Sequence, residues 1–316
     1  MSIESNVAEL AAADKVLTDG GIETWIDYRS DYELTEIGTV GMLDTGAGRS
    51  LLIDLESRYI HAALENDLPI VIGTPSWHGS DHRLQTVGLP SNAVERLNRS
   101  AVWLTRGLRR EIADGRGYVA GVMGPFGDGY DPYAALDTAP ARQTHQRQAD
   151  ALAAAGADFL FAVPLPSASE AVGMCQAMAA TGAAYVPSFL LDRSGHLPDG
   201  TPLGVAIGRI VDEVERAPLH VSISCIHPRI FVTAFKNAAE LPGAEHLQLV
   251  AELKANASDR PRAELDDSTE LHADSPQDWA TQMMAAREAA NLRILGGCCG
   301  TDEHHIDALA RLLRNA

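Results

Sequence analysis

A parallel (β/α)8 barrel is the fold class that the sequence predicts. Eight short apolar runs recur along the chain, and amphipathic segments separate them. The runs are continuous rather than alternating, as strands covered on both faces require. The segments leaving the runs are long and those entering them short, which places the larger loops at the C-terminal rim, where barrel enzymes carry substrate loops. An open doubly wound sheet shows the same alternation, because strand count alone does not prove closure.

The runs are Lys15–Asp19, Pro69–Thr74, Gly117–Gly124, Asp158–Pro164, Ala184–Leu190, Leu219–Cys225, Gln248–Ala255 and Arg293–Gly297. Helical periodicity fills the spaces between them. Val94, Leu97, Ala101, Leu104 and Leu108 step by three and four after Ser91. Ser167 and Glu170 are spaced as a capping box, and Ala171, Met174, Cys175 and Met178 follow on one face, so Cys175 reads as a core residue. Gly182 suits the stop of that helix. Ser275 and Pro276 open another, with Trp279 and Met283 on one side. Thr301 is expected to cap the last, which carries Ile306, Leu309 and Leu313 inward and His304 and His305 toward solvent. The long loops are Gly20–Ser50, Pro75–Pro90, Pro125–Pro140 and Asn256–Asp274. No linker and no internal repeat interrupts the pattern, so residues 1–316 are expected to form one barrel domain.

Composition narrows the function. The 316 residues suit two ordinary domains or one barrel of about 250 residues with insertions. Hydrophobic residues make up 46%, enough for a large core. The formal charge of −18 argues against nucleic acid and anionic membranes, which need clustered Lys and Arg. Met1–Asp14 carries acids and lacks the apolar core of a secretory signal, and no apolar run is long enough to span a bilayer. Four cysteines are too few for a disulfide scaffold, and a cytoplasmic location is expected. Nothing in the sequence specifies an oligomeric state.

Three of those cysteines stand at strand ends. Cys225 ends the sixth run; Cys298 and Cys299 end the eighth, framed by Gly296, Gly297 and Gly300. In a barrel both ends face one rim, so the three thiols converge. Adjacent strand residues point to opposite faces, and the glycines supply the freedom to break that alternation. Three thiolates with one open position describe a catalytic Zn2+ site rather than a closed structural one. A vicinal disulfide, an iron–sulfur cluster and an inert buried pair are the alternative readings of the same residues. A thiolate-rich zinc is a poor Lewis acid for hydrolysis and suits attack by a substrate sulfur.

The sequence resembles the homocysteine S-methyltransferase family. The resemblance is carried by Asp19-Gly20-Gly21, Gly124-Pro125, Ala154-Ala155-Gly156-Ala157-Asp158, Cys225 and Gly296-Gly297-Cys298-Cys299-Gly300-Thr301, and it runs from about residue 15 to 313. It implies a (β/α)8 barrel, zinc held by Cys225, Cys298 and Cys299, and methyl transfer to a thiol on that zinc. Asp19 matches the acid that helps to hold the amino group of homocysteine, beside Gly20 and Gly21. Three positions depart from the family pattern. Aligning Pro166 and Glu170 with the family's Glu-Thr-x-Pro motif puts Val163 where its Glu belongs, removing a charge-assisted contact of about 1.5–3 kcal/mol. Ser224 stands where Asn is frequent. Asn256 is kept after the seventh strand, but Ala255 replaces the proline before it.

Trp77, His78 and His82 follow the second run, Trp25 and Tyr28 the first, Tyr130 and Tyr133 the third. Aromatic faces attract sulfonium and ammonium groups, and equally they anchor loops. His227 reads as a helix cap or as a donor behind the zinc ligands. The expected activity is transfer of a methyl group from a sulfonium or ammonium donor, S-methylmethionine or S-adenosylmethionine before betaine, to homocysteine, giving methionine. Asp19 would orient the acceptor, with Gly20, Gly21, Val163, Ser224, Asn256, Trp77 and Tyr130 lining the substrate site. Two alternatives are a methyltransferase or demethylase for another thiol or sulfonium, suggested by Val163, and a non-catalytic barrel that binds zinc or thiols.

Overall fold

The computed structural model describes residues 2–265 and 268–316. Eight parallel strands close into a barrel in sequence order: β1 Val16–Thr18, β2 Ile70–Gly73, β3 Tyr118–Met123, β4 Phe159–Leu165, β5 Ala184–Phe189, β6 Val221–Ile226, β7 Val250–Ala255 and β8 Ile294–Gly297. β8 pairs with β1, with Val16 opposite Ile294, so the sheet has no edge and the doubly wound alternative is excluded. Helices cover the outer face. Ala93–Glu111 buries the stripe read from its sequence, including Val94, Leu97, Ala101 and Leu108. Cys175 is fully buried on the helix Ala168–Ala180, as its apolar face requires.

The floor of the barrel carries an element with no strong sequence signal. Helix Ile3–Ala12 lays Leu10 against Val16, Val71, Phe159 and Ile294 inside the strands. Asn6 Nδ2 donates to Asp158 Oδ1 at 2.8 Å, while Arg109 holds the other carboxylate oxygen at 2.7 Å. The N-terminal half of the bore is therefore filled, and open volume is left at the C-terminal end.

The expected rim loops contain short helices. Ile22–Arg29 and Gly38–Met42 lie within the first, and their Ile26, Val40 and Met42 form a satellite core with Leu52, Val94 and Leu97. Asp81–Thr86 lies within the second, and the third ends early because a helix starts at Thr138. In the fourth, Asn256–Asp274, residues 266 and 267 lie outside the described residues, as does Met1 at the chain start.

Three local expectations need correction. Ser167 does cap its helix, accepting from Glu170 N–H at 3.2 Å, but Glu170 does not close a capping box. Its buried carboxylate instead accepts Phe126 N–H at 2.7 Å and Leu136 N–H at 3.3 Å and meets His145 Nε2 at 3.0 Å, tying down the loop after β3. The last helix, Glu303–Asn315, is capped by Asp302 rather than Thr301, since a carboxylate is the stronger acceptor for its free N–H groups. His305 is buried, not exposed; it closes the cap with Asp302 at 2.7 Å and reaches Asp274 O at 3.1 Å.

Candidate active site

A cavity of about 420 Å3 opens at the C-terminal end of the bore. Its floor and one wall are apolar, built by Val71, Ala120, Val122, Phe161 and Val163, the inward residues of β2 to β4. The opposite wall comes from β6, β7, β8 and β1 and carries the chemistry.

Cys225 lies at the end of β6 with φ of +57°, the left-handed region that a residue with a Cβ seldom occupies. Ser224 pairs with Lys254 and Ile226 with Ala255, so Cys225 is the extra residue of a bulge. The bulge turns its sulfur across β7 toward β8, to 3.3 Å from Cys298 Sγ; Cys299 Sγ is 3.9 Å from Cys298. The cysteine loop is fastened to the loop after β1. Thr301 Oγ1 donates to Cys298 O at 2.7 Å and accepts Gly21 N–H at 3.1 Å, and Gly300 N–H reaches Thr24 Oγ1 at 3.0 Å. A Cβ on Gly21 would stand 2.6 Å from Cys298 O, and one on Gly297 would stand 2.1 Å from Thr301 Oγ1. Close packing, more than backbone freedom, therefore fixes the glycines here; only Gly300, at φ +80°, needs the left-handed region.

Among the described residues no three donors are already arranged around one metal centre. The donor set nonetheless fits zinc. Four thiolates or three with a substrate sulfur at about 2.3 Å from zinc lie about 3.8 Å from one another, and 3.3 Å and 3.9 Å need only a small opening of Cys225 to match. Cys298 is held well below the usual thiol range by hydrogen bonds from Cys225 and Cys299, with the Lys254 ammonium behind it.

Asp19 stands at the end of β1, buried. One carboxylate oxygen accepts Gly73 N–H at 2.6 Å. The other is ion-paired with Lys254, a residue of β7 that sequence reasoning missed. Lys254 Nζ also donates to Thr18 Oγ1 at 2.8 Å and approaches Asp19 O at 3.3 Å. Burial pulls the Lys254 pKa down, but the charge and hydrogen bond of Asp19 outweigh it and leave the ammonium above its usual value. Glu56, from the helix Gly46–Glu65, lies alongside; burial and then Asp19 push its carboxyl well above the carboxylate range. Glu252 of β7 also faces the cavity, 2.7 Å from His220 Nε2.

The other candidate residues separate cleanly. Gly20, Gly21, Val163, Trp77 and Tyr130 line the cavity with Asp19 and the three cysteines. Ser224 and Asn256 are not among the lining residues: Ser224 is fully buried in β6, and Asn256 uses its backbone, accepting Trp279 Nε1–H at 3.0 Å. Tyr130 stands over the cysteines; burial raises its phenol far above the usual range, Cys225 adds to the rise, and its hydroxyl hydrogen-bonds Cys225. Trp77 donates its indole N–H to Val163 O, and a Cβ on Gly124 would meet that indole at 2.7 Å. Three of the remaining aromatic side chains anchor loops. His82 stacks on Phe126, Trp25 lies under Arg58, Tyr28 donates to Ser268 O, and Tyr133 is 97% exposed. His227 is the cap of the helix Pro228–Ala238, accepting Arg229 N–H, and its Nε2 lies 3.2 Å from Asp274.

The homocysteine S-methyltransferase family model matches residues 16–313, nearly the whole chain. The chain belongs to the homocysteine S-methyltransferase family. It is thus a methyltransferase on a (β/α)8 barrel. Among solved structures it is similar to the homocysteine methyltransferase MmuM from Escherichia coli. The metallated form aligns at a TM-score of 0.77 and 23% identity, covering 96% of this chain and 98% of that one. The oxidised form aligns at 0.75 and 23%, covering 96% and 97%, and the apo form at 0.69 with the same identity and coverage. At that identity the likeness extends to the fold. No curated protein matches the sequence. No helix among the described residues is long and apolar enough to cross a membrane.

Proposed function

We propose that this family member transfers a methyl group from a sulfonium donor to a thiol held on zinc by Cys225, Cys298 and Cys299. The observation that carries the reading is the convergence of three sulfurs from two strand ends at the mouth of one cavity. Zinc, when bound, supplies a substrate thiolate at neutral pH. The chain's own residues do the rest. The cysteines fix where that sulfur stands. The Tyr130 hydroxyl reaches Cys225. The apolar strands β2 to β4 keep water from the reacting atoms, and the ring faces of Trp77 and Tyr130 suit a cationic sulfonium. In the transfer a carbon–sulfur bond forms to the acceptor thiolate. The methyl–sulfur bond of the donor breaks, and its electron pair stays on the donor as a neutral thioether. No general base is needed, because the acceptor proton is lost before the transfer.

S-methylmethionine and S-adenosylmethionine are the proposed donors. Homocysteine is the reference acceptor, with methionine as its product. Free thiols at the site suit a reducing compartment, so the cytoplasm is the proposed location. The test is to incubate zinc-loaded protein with each donor and a panel of thiols, and to follow methyl thioether formation by mass spectrometry. Thioether formation that Cys298→Ala abolishes supports the reading. Bound zinc with no transfer to any thiol would leave a non-catalytic thiol-binding barrel instead.

A further inference from the structure

We propose that Glu56 selects the acceptor thiol by its ammonium group, holding that group together with Asp19. The proposal rests on the thiol methyltransferase reading above and adds a specificity-determining residue to it. Glu56 comes from the helix Gly46–Glu65 rather than from a strand end. Tyr59, one turn along the same helix, fixes its place. A Cβ on Gly20 would stand 2.7 Å from the Tyr59 ring, and the Tyr59 hydroxyl donates to Gly21 O at 3.3 Å. The helix is thereby locked against the turn that follows Asp19, and Glu56 lines the cavity there. Glu56 is 5% exposed, and its Oε2 is buried with no hydrogen-bond partner among the described residues. Buried polar atoms are normally paired, so one left open on a cavity wall marks a partner that arrives with the ligand.

The chain does not supply that partner itself. Lys254 attracts Glu56 through space, yet its three N–H donors are engaged by Thr18 Oγ1 at 2.8 Å, Asp19 O at 3.3 Å and the Asp19 carboxylate. Glu56 and Asp19 thus bring two acids to one lysine, which leaves a place for one more positive charge. Asp19 can share it. Its oxygens accept Gly73 N–H and Lys254, and each keeps a second lone pair. A primary ammonium has three N–H donors, enough to bridge the two acids. Without it, burial and then the Asp19 charge push Glu56 toward its neutral form; an arriving cation supplies the counter-charge that favours the carboxylate. The ammonium is the acceptor's because the cluster adjoins the cysteines: Asp19 O accepts Gly297 N–H at 3.0 Å, one residue before Cys298. On the β4 side Val163 offers only a methyl surface, and Glu252 is engaged with His220 at 2.7 Å.

Two pairs of compounds that differ by the ammonium alone test this: homocysteine with 4-mercaptobutanoate, and methionine with 4-(methylsulfanyl)butanoate. Calorimetric titration of the first pair into zinc-loaded protein is expected to favour homocysteine by about tenfold or more, the size of a charge-assisted contact. Glu56→Gln keeps the shape and removes the charge. It is expected to weaken homocysteine by about tenfold and to leave 4-mercaptobutanoate within about twofold. The second pair, titrated into metal-free protein, is expected to show the same dependence on Glu56 without zinc. The urea midpoint of the variant is expected to be no lower than that of the parent chain, since the carboxyl has no partner to lose. No preference for homocysteine in the parent chain, or a preference that Glu56→Gln leaves unchanged, overturns the proposal. So does equal weakening of both members of a pair with a lowered urea midpoint, which would make Glu56 structural. S-methylmethionine also carries an ammonium; weakening of its binding alone in the variant would assign Glu56 to the donor and overturn the proposal too. Failure of the methyl transfer itself is distinguished: every thiol goes unmethylated while the binding order and its dependence on Glu56 stand.

Discussion

Cys225 and Cys298 lie 73 residues apart in the chain and 3.3 Å apart at sulfur. The contact spans β7, and it exists because Cys225 leaves strand geometry at φ +57°. The loop bearing Cys298 is held against Gly21 on the other side.

Gly21→Ala should therefore disturb the metal site at a distance. The added methyl would meet Cys298 O at 2.6 Å and Thr301 O at 3.1 Å, both backbone atoms that cannot step aside singly. A cost of about 1–3 kcal/mol in stability is expected, as for overpacking elsewhere. Zinc affinity, read by competition with a chromogenic chelator, should fall by about two- to tenfold if about half of that strain is relieved by moving the cysteine loop.

The pH dependence of stability should carry a contribution from His78. Burial, helped by the nearby Arg83, pulls its pKa down to about 4. The folded state thus prefers the neutral ring. Stability from this group is complete above the ordinary value of about 6.5 and is lost as pH falls through about 4. After allowing for the ring's partial exposure, about 1–2 kcal/mol is expected to go across that window. Urea denaturation of metal-free protein at pH 7.5 and pH 4.5 should show a smaller difference for His78→Asn than for the parent chain. An unchanged difference would assign the acid limb to other groups.

Leu10 plugs the barrel floor at 1% exposure. Leu10→Ala should destabilise the fold by about 2–4 kcal/mol through lost burial and a cavity. The cysteines stand at the opposite end of the bore, at the ends of β6 and β8, so zinc binding should be unchanged. Urea midpoints and calorimetric titration of the same variant check both halves of this expectation.

The strands were legible because each is a continuous apolar run: Asp158–Pro164 was expected and Phe159–Leu165 is found. The cysteines were legible because two sit side by side in a glycine frame. The helix Ile3–Ala12 was not, since Ile3, Val7 and Leu10 are too few apolar residues for a clear period and its partner is the inside of the barrel. The left-handed turn at Cys225 left no mark either, as no glycine announces it. Lys254 was hidden for a third reason. A charge within the run Gln248–Ala255 makes sense only once β7 and β1 close on either side of β8 and bring Asp19 to it. Ser224 and Asn256, judged by family position, are not among the cavity-lining residues: Ser224 is fully buried in β6, next to the bulge at Cys225, and Asn256 is half-buried after β7.

The central claim is that Cys225, Cys298 and Cys299 hold one zinc ion that activates the acceptor thiol. Metal analysis of protein purified under reducing conditions, beside Cys298→Ala, tests it most directly. The account predicts zinc in equal molar amount to the parent chain and its loss in a variant that still folds. A parent chain that neither contains zinc nor takes it up when zinc is added would contradict the account.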